Sequence, residues 1–298
     1  MINIDFEITQ ELKEKYIATL CSTKFQDKKT VREKFEEQDI FDGYSFDDVF
    51  FMTPKRMIAF IEEIEAKNPD KETLKTIFKY DGKFQPLIAK FIEKYLDPKV
   101  CYYCNIDYVN VYESSNGELK NKFTLDHFLD KGSYPYLALS FFNLVPCCSV
   151  CNSKIKGTIS FYEDEKLKYT NPYAKEFDFD QKVHFKLLLS DKCKNLHIKS
   201  KEDIEIPLKE KYSNKYQKYI EVFKLNERYS AHKDIVYDMM KNAELYPESR
   251  LKELQDLTGI PYQQIKKEIF HLIDDDSDLS QEPFSKLRRD IAKELELL

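Results

Sequence analysis

The sequence has few glycines and no long apolar run. Only 6 of its 298 residues are glycine, and no repeat or low-complexity tract occurs. No window approaches the roughly 18 apolar residues of a membrane span, and residues 1–6 carry no basic region followed by an apolar run. These absences predict a cytoplasmic protein with no membrane partner. Because glycine is scarce, we expect Gly132 and Gly157 to mark turns with unusual backbone angles.

An excess of basic charge is also lacking. The chain has 47 Lys and Arg residues against 53 Asp and Glu residues, a formal net charge of -6, so any polyanion must meet a local patch. The stretch 182–218 holds ten lysines and five acids. It is either a solvated surface or a face that follows a phosphate backbone.

Residue patterns divide the chain into three regions. Residues 1–99 carry apolar stripes at helical spacing, such as the one that follows the Thr53-Pro54 cap. Residues 100–172 begin with strand-forming residues, so we expect residues 102–112 to form a hairpin with 123–128, its turn at 114–117, and a short helix to follow over 149–155. Residues 173–298 alternate as a few strands and then return to helix, and we expect this region to bind substrate or a partner. The predicted fold class is α+β: a mostly helical chain around a small core of two strands and a helix, with a few additional strands after it.

Two helical stripes near the end of the chain have the spacing of a helix-turn-helix. Leu254 and Leu257 precede Gly259, and Ile265 and Ile269 follow it. A plain helical hairpin fits the same residues, since Lys266 and Lys267 are the only basic candidates for a DNA groove. A regulator that uses this segment would bind duplex DNA without cleaving it.

Four of the seven cysteines form two Cys-x2-Cys pairs, Cys101 with Cys104 and Cys148 with Cys151. In a reducing compartment this spacing indicates metal rather than disulfide, and four thiolates in tetrahedral geometry favour structural Zn²⁺. Cys147 competes with Cys148 but would give a Cys-x3-Cys pair. We therefore predict Cys148 as the ligand and Cys147 as a buried neighbour.

Asp126, His127 and Asn152 add chemistry to this zinc module. Hydrolysis of a phosphodiester needs a base that takes a proton from water, which histidine provides near neutral pH. It also needs a cation to neutralise charge, and carboxylate and amide oxygens bind Mg²⁺ or Mn²⁺. Two alternatives remain: Asp126 orients the imidazole, or Asn152 caps a helix.

Taken in order, these residues resemble the HNH, or ββα-metal (His-Me finger), endonucleases of the zinc-knuckle subtype. The resemblance covers residues 101 to about 160 and rests on Leu125-Asp126-His127, Asn143-Leu-Val-Pro146 and Cys148-x2-Cys151-Asn152-x-Lys154. It implies His127 as general base, Asp126 and Asn152 as ligands of Mg²⁺ or Mn²⁺, and Asn143 as a brace for the strand of the base. Lys154 and Lys156 are expected to contact nucleic acid, with DNA favoured over RNA.

The resemblance extends to bacterial HNH effectors of anti-phage defence, some of which pair with an ATPase subunit. It implies such a subunit, or another defence-system component, as a partner. Two positions depart from the family: asparagine stands at the third motif position, and Asp130 replaces a proline three residues after the histidine. An acid there would tune the metal or repel substrate. The alternative function is therefore a catalytically inactive zinc-binding module for nucleic acid or protein interaction.

Overall fold

The computed structural model describes residues 1–109, 111–113, 119–121, 123–193 and 198–298. The structure is 49% helix and 8% strand, so the protein is mixed helix and sheet with helix predominant. The predicted turn at 114–117 lies outside the described residues. Across the described parts, no helix is both long and apolar enough to cross a bilayer.

The chain divides into two compact units. The first contains Met1–Tyr103 and Asp107–Asp178, and the second contains Cys104–Ile106 and Phe179–Leu298. The predicted helical region 1–99 and nuclease region 100–172 both belong to the first unit, apart from residues 104–106. The predicted C-terminal region begins six residues before the second unit resumes at Phe179.

Six helices open the first unit, and capping with apolar periodicity explains where they form. In the helix that begins at Pro54, the Thr53 hydroxyl accepts a hydrogen bond from Arg56 N, and buried Met57, Phe60, Ile61 and Ile64 follow at helical spacing. The helices are α1 (Gln10–Cys21), α2 (Val31–Glu36), α3 (Phe46–Phe50), α4 (Pro54–Glu65), α5 (Lys71–Ile77) and α6 (Gln85–Tyr95).

Two antiparallel hairpins follow, and their pairing differs from the predicted one. Strands β1 (Val111–Glu113) and β2 (Leu119–Asn121) pair with each other. Strand β3 (Thr124–His127) pairs with β4 (Leu144–Cys147), with His127 opposite Leu144. The prediction that 102–112 pairs with 123–128 is therefore wrong, because strand-forming residues show where a strand lies but not which strand it pairs with. A short helix, Val150–Lys156, follows β4.

Glycine conformation agrees with the prediction at one of two positions. Gly157 ends the short helix with φ +49°, a left-handed value that favours glycine. Gly132 has no positive φ. A Cβ atom at Gly132 would lie 3.0 Å from Asp130 Oδ2, so close approach of that carboxylate explains the glycine.

The second unit contains four short strands and seven α-helices among its described residues. Strand β5 (Val183–Phe185) pairs with β8 (Leu208–Glu210), and β6 (Leu188–Leu189) pairs with β7 (Ile204–Glu205), which confirms the few strands predicted here. The helices are α7 (Phe179–Lys182), α8 (Gln217–Val222), α9 (Leu225–Ser230), α10 (Lys233–Leu245), α11 (Glu248–Thr258), α12 (Tyr262–Phe270) and α13 (Ser285–Glu294). Gly259, with φ +71°, ends α11.

Asn105 explains why residues 104–106 belong to the second unit. Its side chain is fully buried and donates to the backbone oxygens of Leu279 and Glu282. Its own oxygen accepts from Lys286 N and from the Ser285 hydroxyl. A buried amide that meets this many partners fixes its segment firmly.

Candidate metal centre and active site

The four predicted zinc ligands lie together. Cys101, Cys104, Cys148 and Cys151 are all buried, and their sulfur atoms lie within 4.8 Å of one another. A tetrahedral zinc ion with Zn–S bonds of about 2.3 Å separates its sulfurs by about 3.8 Å, so the arrangement suits a metal ion such as zinc. With four protein ligands, an ion bound here would have no position left for a substrate or water.

Two hydrogen bonds to sulfur support the same assignment. Cys151 N donates to Cys148 Sγ at 3.4 Å, and Arg228 Nη2 donates to Cys104 Sγ at 3.4 Å. Cys147 is separate: its thiol contacts Thr124, and burial raises its pKa well above the usual range. A thiol that resists ionisation is a poor ligand, so Cys147 remains a buried neighbour as predicted.

His127 ends β3 with its ring held on two sides. Nε2 lies 2.9 Å from Ala138 O, and the edge of the Tyr80 ring packs against the imidazole at a centroid distance of 4.5 Å. A carbonyl oxygen only accepts hydrogen bonds, so Nε2 carries the proton. Burial lowers the pKa of His127 from 6.5 to about 4, and the charges of Lys131 and Lys156 act in the same direction. The ring is therefore neutral at pH 7.

In this tautomer the lone pair of His127 lies on Nδ1. Among the described residues, Nδ1 has no hydrogen-bond partner. Among the described residues, Arg289 Nε is the only fully buried side-chain nitrogen or oxygen that lacks a hydrogen-bond partner, so Nδ1 of His127, which also lacks one, is not fully buried. Tyr80 and Ala138, which both contact His127, line a surface cleft of about 430 Å³ together with Lys131.

The Asp126 carboxylate meets a different set of groups. Its Oδ2 accepts from the Tyr103 hydroxyl at 2.7 Å, and its Oδ1 lies 3.0 Å from Lys156 Nζ. Lys156 Nζ also donates to His127 O at 2.8 Å. The prediction places Lys156 at the surface against nucleic acid, but the structure buries it to 3% exposure. Pairing with a buried carboxylate explains why a lysine lies there.

The Asn143 side chain joins two segments of backbone. Its Oδ1 accepts from Leu129 N at 2.8 Å, and its Nδ2 donates to Leu129 O and Leu137 O at 3.0 and 3.1 Å. The side chain is fully buried. It ties the backbone just after His127 to the segment that supplies the Ala138 carbonyl.

The remaining predicted residues lie apart from these contacts. Asn152 and Lys154 belong to the short helix, where Asn152 is partly exposed and Lys154 is exposed. Asn152 O accepts from Gly157 N at the end of that helix. Partial burial opposes ionisation of Asp130, but hydrogen bonds from the backbone of Ser133 and Gly132 hold its pKa below the usual range. The Asp130 carboxylate therefore caps a turn.

Sequence reasoning missed Tyr80, Tyr103 and Ala138 as partners of the site. Tyr103 lies between Cys101 and Cys104, and this position is the one local signal in the sequence that it lies near the site. Tyr80 is 47 residues from His127 along the chain, and no local pattern connects the two. No family model, no curated protein and no solved structure matches this chain.

Proposed function

We propose that this chain is a phosphodiester hydrolase of the HNH type that acts on nucleic acid, with DNA favoured and His127 as its general base. The observation that carries the proposal is the geometry of this imidazole: Ala138 O holds Nε2 at 2.9 Å, and the lone pair lies on Nδ1, which has no hydrogen-bond partner among the described residues, in a side chain that is 8% exposed. The order of β3, β4 and the short helix beside a four-cysteine centre supports it.

The reaction follows from that geometry. A water oxygen attacks phosphorus as Nδ1 of His127 accepts its proton, the bond from phosphorus to the 3′ oxygen breaks, and the leaving oxygen takes a proton from solvent. Ala138 O holds the opposite nitrogen, which keeps the ring in the required tautomer. Lys154, on the exposed side of the short helix, is the cation we assign to the phosphate. Lys131, which lines the cleft, is paired with Asp81 at 2.6 Å.

The Mg²⁺ or Mn²⁺ ion expected on Asp126 and Asn152 does not fit this arrangement. Lys156 already neutralises the carboxylate, and both carboxylate oxygens accept hydrogen bonds. We therefore assign no step to a divalent ion. Zinc fits the four cysteines, where it would hold the 101–104 loop and the start of the short helix together.

The biological setting extends the same proposal. A cytoplasmic effector of bacterial anti-phage defence, working with an ATPase or another subunit of its system, is the setting that the HNH resemblance implies. The second unit, residues 179–298, is the part we assign to partner or substrate binding. It includes the whole of the lysine-rich stretch 182–218.

Replacement of His127 tests the proposal. The wild-type protein should nick supercoiled plasmid, and His127→Ala should abolish nicking while its zinc content stays unchanged. Single-stranded DNA and RNA offered in parallel identify the substrate. His271→Asn is the matched control, because His271 is exposed and asparagine tolerates its left-handed backbone. Undiminished nicking by His127→Ala would refute the role of His127.

The Asp126–Lys156 pair favours a second candidate function, binding of nucleic acid or protein without cleavage. A zinc-stapled module that binds nucleic acid or protein without cleavage also needs a rigid core, and a buried ion pair provides one. Binding of labelled DNA by a wild-type protein that shows no nicking under any ionic condition would favour this function.

A further inference from the structure

The ammonium group of Lys156 is held from three directions. Asp126 Oδ1 lies at 3.0 Å, His127 O at 2.8 Å, and the centroid of the Phe161 ring at 5.2 Å from Nζ. A carboxylate, a carbonyl and an aromatic face are all groups that attract a cation. The lysine side chain is 4% exposed and its carboxylate partner 5% exposed, so the pair lies away from solvent.

Backbone geometry holds the lysine in this place. Lys156 is the last residue of the short helix, and Gly157 closes that helix with φ +49° and a hydrogen bond from its N–H to Asn152 O at 2.9 Å. The turn directs the chain to Phe161, whose ring also packs edge-on against Phe128, the residue after His127. The turn at Gly157 and the Phe161 ring therefore hold the Lys156 side chain beside Asp126.

Asp126 also lacks the companions of a divalent cation. Among the described residues, the four cysteines are the only group of three or more His, Cys, Asp or Glu side chains close enough to share one ion. Its second oxygen accepts the Tyr103 hydroxyl at 2.7 Å. A hard divalent ion prefers several oxygen ligands and retained waters, and Lys156 Nζ occupies the place beside Asp126 Oδ1 where such an ion would lie.

We propose that Lys156 is a built-in cation that takes the place of a divalent metal ion on Asp126, so that the carboxylate binds neither Mg²⁺ nor Mn²⁺. Lys156 is a positioning residue: it joins the Asp126 side chain to the backbone of His127 and does not reach substrate. A consequence that rests on the proposed function is that the hydrolysis needs no ion on Asp126.

Manganese binding tests the proposal without reference to activity. Zinc-loaded wild type and Asp126→Asn are titrated with Mn²⁺, and bound ion is measured by electron paramagnetic resonance. Both should bind the same number of ions per chain. Lys156→Ala, which vacates space beside the carboxylate, should bind one more ion than wild type, and Asp126→Asn/Lys156→Ala should lose that ion.

Two results would overturn the proposal: a Mn²⁺ ion in wild type that Asp126→Asn removes, or a folded Lys156→Ala protein that gains no ion. Circular dichroism and zinc content establish whether Lys156→Ala is folded. If it is not, the comparison of wild type with Asp126→Asn decides alone.

Nicking measured in parallel keeps the two proposals separate. Wild-type nicking should persist when Mg²⁺ and Mn²⁺ are withheld and zinc is retained. Nicking that requires added Mn²⁺, together with loss of a bound ion in Asp126→Asn, leaves His127 as the base and removes the role of Lys156. Absence of nicking under every condition removes the proposed hydrolase, while the ion count still decides the role of Lys156.

Discussion

The two polar centres of this protein obtain their positive charge in opposite ways. The four buried cysteines offer a ligand set that suits an ion from solution. Asp126 has its cation from the chain itself, in Lys156 at 3.0 Å. The first centre would take its positive charge from a bound metal ion, whereas the second takes it from the folded chain. A carboxylate can bind a metal ion only where the surrounding side chains leave space for that ion, and Lys156 occupies this space beside Asp126.

Loss of one cysteine should break the first centre with the largest effect. Cys151→Ser removes a ligand, and because metal binding contributes to folding, on the order of 10 kcal/mol in isolated zinc modules, we expect zinc loss and a Tm lower by about 10 °C or more. Elemental analysis and thermal unfolding measure both. Cys21→Ser, outside the cluster, should change neither. An unchanged Tm in Cys151→Ser would show that the cysteines hold no structural metal.

Removal of Lys156 should break the second centre by a smaller amount. Lys156→Met keeps the length of the side chain but leaves a buried carboxylate unpaired, which costs about 3–5 kcal/mol. Urea unfolding measures the change. Asp126→Asn/Lys156→Met has no uncompensated charge and should recover part of the loss. A double variant less stable than Lys156→Met would argue against direct pairing.

Acid should lower the stability of the folded protein through His127. Burial lowers the folded-state pKa of His127 to about 4 from its ordinary value of 6.5, so between these values the unfolded chain binds more protons. Its contribution to stability is complete above pH 6.5 and falls as the pH drops, by about 2 kcal/mol at pH 5 and about 3 kcal/mol in total near pH 4.

The measurement is the free energy of unfolding of wild type and His127→Gln at pH 7 and pH 5. Zinc release affects both proteins equally, so the difference between them isolates the imidazole. That difference should shrink by about 2 kcal/mol at pH 5. A constant difference would mean that the folded protein protonates His127 as readily as the unfolded chain does.

Removal of the Asn143 side chain should lower stability by an amount similar to the acid effect on His127. Asn143→Ala leaves Leu129 N and O and Leu137 O without their side-chain partner, at a cost of about 2–3 kcal/mol. Nicking should fall with stability, because the segment bearing Ala138 O loses its tie to the strand of His127. Asn152→Ala, a partly exposed position, should change stability by less than about 0.5 kcal/mol. Equal losses in the two variants would contradict the bracing role.

Much of the site was predictable because its signals are local. The Cys-x2-Cys spacing places two thiols on one tight turn, so Cys148 was preferred to Cys147 for a reason that the structure supports. Thr53-Pro54 predicts the start of α4, because threonine caps the helix and proline occupies its first position. Both signals act within a few residues and need no knowledge of the rest of the fold.

The pairing of β3 with β4 was not predictable in this way, and neither was the burial of Lys156. Leu144–Cys147 is a strand that contains proline, and its partner lies about 20 residues earlier along the chain. Lys156 follows Lys154 by two residues in a basic stretch that looks like surface. Only the position of Asp126, 30 residues away, makes a buried lysine favourable there.

The amino-acid sequence by itself determined the set of sulfur ligands, the caps and stripes of the helices, and the candidate base. Tertiary structure alone decided which nitrogen of His127 meets the Ala138 carbonyl and which cation neutralises Asp126. The physical reason is range. Spacing and capping act over three or four residues, whereas a buried charge is stabilised by whichever group the folded chain brings within about 3 Å, at any distance in sequence.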